Sequence, residues 1–170
     1  MRGLADHCPE DRQAVGEAET TLAGITFERG GFPKVLKRYG PADAKREYTD
    51  ATYPQGSGEA TYSWTIDRGH LEVSTMFYHR DRSLVESVIA VRIEGDSDIP
   101  EWQTGKGLRL GDDFERVVLL YGSVFLEGNA RGSKPVSHSM TICFSNETRL
   151  GVELNDVGKI MAIRLMPSIE

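Results

Sequence analysis

The chain has 170 residues, 39% of them hydrophobic and 27% charged, enough apolar material for a core that removes about 70% of the unfolded surface from water. Disordered, collagen-like and silk-like classes are thereby excluded. Lysine and arginine number 20 against 26 acidic residues, a net charge of −6, so a polyanion would meet an adverse field and nucleic acid is not expected as a partner.

In chain order, residues 1–21 read as a polar N-terminal tail with no apolar signal-type segment and no lipobox before Cys8. A first helix is predicted where Phe32, Val35, Leu36 and Tyr39 recur at i, i+3, i+4 and i+7, with Pro33 in the first turn and Gly40 at the end. Strand-like alternation follows at Tyr62, Trp64 and Ile66, at Leu71 and Val73, and at Ile89, Val91 and Ile93. Residues 95–104 form an acidic, turn-rich linker in which Trp102 is expected to pack at a junction. A second helix carries Phe114, Val117, Val118 and Tyr121 and ends at Gly122, with Asp112 and Asp113 expected as caps at its positive end. Further strands are expected around Ile142 and Phe144, around Leu150, Val152 and Leu154, and around Met161, Ile163 and Leu165. The longest apolar run, Val117 to Leu126, is half of what a membrane span requires and contains Gly122 and Ser123, so no span is expected.

These elements recur in the same order. Phe32 to Gly40 matches Phe114 to Gly122 at a constant offset of 82, and Val88 to Ile93 matches Ile160 to Leu165 at an offset of 72. The predicted class is therefore α+β with two tandem repeats, residues 22–94 and 105–170. Each is a short helical segment followed by about four antiparallel strands, with the helices on one sheet face and the other face open.

The segment Thr104-Gly105-Lys106-Gly107-Leu108-Arg109-Leu110-Gly111-Asp112-Asp113-Phe114, continuing through Val117 to Tyr121-Gly122, resembles an opening shared by small bacterial envelope domains. Among them are the β-lactamase inhibitory protein family and the small lipoprotein of the outer-membrane barrel-assembly machine. A weaker echo lies at Gly24 to Gly40. The resemblance implies a continuous curved sheet whose open, concave face grips another protein, with no catalysis, and a periplasmic or extracellular setting. It also implies a partner-contacting carboxylate in the hairpin between the second and third strands, where this chain has Asp67. The family carries a cysteine pair inside each repeat. Here Cys8 lies outside both repeats and Cys143 has no counterpart in the first, so a bridge between these two and a pair of separate thiols are both consistent with the sequence.

Strand parity places Glu72, Ser74, Val88, Ala90 and Arg92 on the open face, with Cys143, Glu153, Ile160, Ala162 and Arg164 from the second repeat. Two readings of the equivalent arginines stand: Glu72 pairs with Arg92 and Glu153 with Arg164 as surface ion pairs, or the arginines anchor a partner. Asp67, Glu72, Arg92, Glu153 and Arg164 are thus the candidate partner-binding residues. His7, His70, His79 and His138 have no metal-ligand spacing, and no nucleophile elbow, phosphate loop or dinucleotide fingerprint occurs. No cofactor, metal or catalytic residue is expected. The alternatives are a structural or assembly accessory of the envelope, and a ligand carrier or enzyme using a cleft between the repeats near Trp102, Tyr53 and His138.

Overall fold

The computed structural model describes residues 18–96, 99–122, 130–131, 134–135, 138–144 and 148–166. A short pair of strands, β1 (Thr21–Leu22) and β2 (Ile25–Thr26), precedes helix α1 (Phe32–Tyr39). Four strands follow: β3 (Ala44–Tyr48), β4 (Gly58–Ile66), β5 (Gly69–Arg80) and β6 (Ser83–Gly95). Helix α2 (Phe114–Tyr121) leads to a separate two-stranded pair, β7 (Ala130–Arg131) with β8 (Lys134–Pro135), and then to β9 (Ser139–Cys143), β10 (Arg149–Leu154) and β11 (Ile160–Met166). The protein is α+β, with one seven-stranded antiparallel sheet in the order β3-β4-β5-β6-β11-β10-β9. The four strands after α1 and the three closing strands meet where β6 pairs with β11, Ile163 opposite Ile93 and Arg164 opposite Arg92.

Both helices last eight residues because their stop signals act as expected. Gly40 (φ 77°) and Gly122 (φ 73°) take the left-handed conformation that costs glycine nothing, and their N–H groups donate to Leu36 O and Val118 O at 2.8 and 2.9 Å. The helix starts differ from expectation. Neither aspartate caps α2 through its side chain: Asp112 accepts the Arg109 N–H, and Asp113 holds Lys159 in an ion pair of 2.7 Å.

Each helix is too short to be stable alone, and packing supplies what local propensity does not. Phe32 and Val35 of α1, and Phe114, Val117 and Tyr121 of α2, are buried in one apolar cluster with Trp64, Leu71, Val73, Val91, Ile93, Leu150, Val152, Ile163 and Leu165 from one face of the sheet. Phe32 and Tyr62 stack with ring centroids 4.2 Å apart. Residues 18–21, read from sequence as part of a polar tail, belong to this body: Glu19 is buried and Thr21 opens β1. The acidic linker is built in as well. Trp102 is buried in the same cluster, Ala23 N–H donates to Gln103 O, and Leu22 bridges to Thr104.

Two strand assignments need correction. The β5–β6 register passes from Ser74 opposite Ala90 to Thr75 opposite Val88, and the β10–β11 register from Glu153 opposite Ala162 to Leu154 opposite Ile160. Ile89 and Met161 are therefore bulge residues, each of which shifts the alternation by one. Val88 and Ile160 lie on the helix-covered face and are buried, not on the open face where uninterrupted alternation puts them.

Candidate functional site

The second face of the sheet carries no helix among the described residues. Its central row reads, strand by strand, Ala44, Ser63, Glu72, Arg92, Arg164, Gly151 and Thr141. The next row toward the β4–β5 turn is Thr65, His70, Glu94, Ala162, Glu153 and Ser139. Four of the five candidate residues, Glu72, Arg92, Glu153 and Arg164, thus share this face. Asp67 sits apart, exposed in the two-residue turn between β4 and β5 with φ 51°. The turn ends a shallow groove of about 570 Å³ lined by Thr65, Asp67, His70, Glu94, Gly95 and Met161.

Neither expected ion pair forms. Although Glu72 stands opposite Arg92, the Arg92 guanidinium turns the other way, donating from Nη1 to Glu94 and from Nη2 to Glu153 Oε2 at 2.9 Å. It crosses β11 diagonally above Ala162, which lies in register between Glu94 and Glu153 and is only 1% exposed. A small residue at 162 leaves room for that reach. Among the described residues Glu72 makes its ion pair with the far-exposed Arg46, at 4.0 Å. Arg164 is exposed and makes no ion pair among the described residues.

Glu94, Gly151 and Thr141 are residues of this face that sequence reasoning did not name, although for Glu94 a signal existed: it is two residues beyond Arg92 and so on the same face. The Arg92 fork joins β6 to β10 through half-buried, charge-assisted hydrogen bonds, stronger than exposed pairs. Arg92→Ala should cost about 1–2 kcal/mol, and a double-mutant cycle with Glu153→Ala should show coupling of about 0.5–1 kcal/mol. Glu72→Ala should stay within about 0.5 kcal/mol. Urea denaturation of the four variants checks this, and a Glu72 effect equal to that of Arg92 would contradict the observed pairing.

On this face burial works against the charge of Arg92, but its bonds to Glu94 and Glu153 hold the guanidinium above its ordinary pKa; the displaced phenols lie elsewhere. Burial, reinforced by a hydrogen bond to Glu86 Oε1 at 2.7 Å, pushes the Tyr62 phenol up to about 12. Thr75 donates to the same oxygen at 2.7 Å. Burial also raises the Tyr121 phenol, which donates to Glu19 Oε1 at 2.6 Å and meets the Thr104 hydroxyl at 2.9 Å. Lys106 N–H donates to the same Glu19 oxygen. The Tyr121 cluster is enclosed in the body of the fold, whereas Glu86 in the other is half-buried. No sequence pattern marks Glu19, since its partners lie 87 and 102 residues away.

Trp102, Tyr53 and His138 occupy three different surroundings. Trp102 is buried, Tyr53 donates to Glu59 with its pKa raised to about 12 by that bond, and His138 is exposed 3.9 Å from Asp156. Among the described residues no group of three metal-ligating side chains converges, and no helix is long and apolar enough to cross a membrane. Cys143 is disulfide-bonded, and Cys8 lies outside the described residues. No protein-family model, curated protein or solved structure matches this chain.

Proposed function

We infer that this chain is a protein-binding module that works through the uncovered face of its sheet. The observation that carries the reading is the asymmetry of the seven strands: one face is sealed by two helices and a continuous apolar cluster, while the other presents a polar, charged surface with nothing packed on it among the described residues. The reading without catalysis draws support from where two of the displaced phenols lie. Tyr62 and Tyr121 are hydrogen-bonded beneath the sheet instead of being poised in an open cleft.

The finer reading, two tandem repeats of the envelope-inhibitor kind, is supported by three correspondences. The helices keep the 82-residue offset, the bulge residues Ile89 and Met161 keep the 72-residue offset, and β6 and β11, each the last strand after its helix, pair with one another. A periplasmic or extracellular inhibitor-like role is the functional form of that reading, and the disulfide at Cys143 agrees with an oxidising compartment.

Affinity capture from envelope and cytosolic extracts tests the face. The baits are the wild type, a Ser63→Arg/Ser74→Arg variant that alters the uncovered face, and a Lys37→Glu control on the exposed side of α1. A protein held by wild type and control and lost by the face variant is the expected result. Equal retention by all three, or capture by none, overturns the reading.

A further inference from the structure

We propose that the uncovered face contains a slot for a single acidic side chain of the partner, floored by Gly151 and walled by Arg164 and Thr141. Resting on the assignment of this face as the binding surface, the inference adds the chemistry recognised there. Gly151 lies between Arg164 on β11 and Thr141 on β9 in one cross-strand row. Adjacent strands are about 4.8 Å apart, so the two walls stand roughly 10 Å apart with no side chain between them. Among the described residues, a Cβ placed on Gly151 would touch nothing closer than Arg164 Cβ at 3.8 Å, an ordinary contact, so a side chain there has room.

Charge on the face is unevenly compensated. Arg164 is registered directly opposite Arg92, an arrangement in which like charges oppose each other at a cost to the sheet. Arg92 is neutralised twice, by Glu94 and Glu153. That leaves Arg164, exposed, without a carboxylate among the described residues, although Glu153 is on the neighbouring strand. A cation held opposite another cation with no internal counter-charge violates the local rule, and such violations concentrate at functional sites. The Thr141 side chain is likewise exposed and makes no hydrogen bond among the described residues.

A carboxylate entering above Gly151 would accept two parallel N–H bonds from the Arg164 fork and one from the Thr141 hydroxyl. The surroundings select against larger anions. Of the carboxylates on the same face, Glu94 and Glu153 are taken up by Arg92 and Glu72 lies near Arg46, while the chain as a whole is net negative, which disfavours a polyphosphate or an anionic membrane and leaves one position for a solitary carboxylate. An aspartate or glutamate carried on an otherwise neutral protein segment fits.

The test is an amide NMR titration of the intact chain with two pentapeptides, acetyl-Thr-Val-Glu-Val-Thr-amide and its glutamine counterpart. The glutamate peptide should shift the Gly151, Thr141 and Arg164 resonances, saturably and about tenfold more tightly than the glutamine peptide, the factor expected for one charge-assisted contact. Arg164→Gln, which removes the charge at an exposed position, and Gly151→Val, which fills the slot, should each abolish the difference. Equal response to both peptides, shifts spread over the basic residues at large, or full binding by Arg164→Gln would overturn the proposal. A partner captured equally by wild type and Arg164→Gln, yet lost on Ser63→Arg/Ser74→Arg, would refute the slot while leaving the face assignment standing.

Discussion

Trp102→Ala is expected to destabilise the protein by about 3–5 kcal/mol, the range for removing a large buried aromatic and leaving its cavity behind. For a chain of this length that corresponds to a fall in Tm of roughly 10 °C. Trp102 is 1% exposed and belongs to the cluster that contains Phe32 of α1 and Phe114 of α2. The segment around it is tied down on several sides: Trp102 N–H donates to Ile99 O, Ala23 N–H to Gln103 O, and Gly105 N–H to Thr21 O. A cavity here loosens the N-terminal strands and the approach to α2 together. Trp102→Phe should be much milder, under about 2 kcal/mol, because the indole nitrogen gives up little. It lies by the Tyr39 hydroxyl, itself donating to Ala23 O, and among the described residues meets no acceptor of good geometry. Trp64→Phe provides the contrast, since Trp64 Nε1 donates to Gly40 O at 3.1 Å and its loss strips a partner from the end of α1. Thermal denaturation followed by circular dichroism measures all three. A Trp102→Ala cost below about 1 kcal/mol would mean that the segment is a linker after all.

Residues 95–104 read as a linker with Trp102 packed at a junction; the structure buries Trp102 and Thr104 and ties Gln103 to Ala23, and these long-range ties show where sequence reasoning stops. The two helices and strands β4, β5, β6, β9, β10 and β11 were legible in order because short-range periodicity encodes them: Phe32 to Tyr39 and Phe114 to Tyr121 each bury one stripe, and these strands alternate over most of their length, whereas β3 is exposed throughout and carries no such signal. Val88 and Ile160 fell on the wrong face because a bulge adds one residue without leaving a mark in composition. The ion pairs were misassigned for a different reason. Register placed Glu72 opposite Arg92, but a long side chain chooses among diagonal neighbours, and burial of Ala162 beneath the guanidinium favours Glu94 with Glu153. Glu19 was invisible because a buried carboxylate is justified only by distant partners, here Tyr121 and the Lys106 N–H.

Raising the pH through 10 to 12 should remove stability that is fully present at neutral pH. An unfolded tyrosine ionises near 10, whereas burial and the bond to Glu86 hold the Tyr62 proton up to about 12, and burial with the bond to Glu19 raises Tyr121 as well. Below pH 10 both states keep these protons and stability does not depend on them. Between 10 and 12 the unfolded chain has lost protons that the folded chain retains, so the unfolded state binds fewer and the free energy of unfolding falls as pH rises. Each pH unit separating the folded and unfolded ionisations is worth about 1.4 kcal/mol, so Tyr62 alone accounts for about 2 kcal/mol by pH 12, and Tyr121 adds a decline of the same sign. The bonds explain why the phenols resist ionisation: a phenolate at either place would face a carboxylate oxygen at 2.6 to 2.7 Å, enclosed at Tyr121 and partly buried at Tyr62. Urea midpoints from pH 8 to 11.5 should therefore be level to about 9.5 and then drop. Lysines titrate in the same window, so the Tyr62→Phe/Tyr121→Phe variant isolates the effect. It should be weaker at pH 8 by about 2–4 kcal/mol, because Glu86 and Glu19 each lose a donor, yet flatter above pH 10. A variant curve that falls as steeply as the wild type would assign the alkaline loss to other groups.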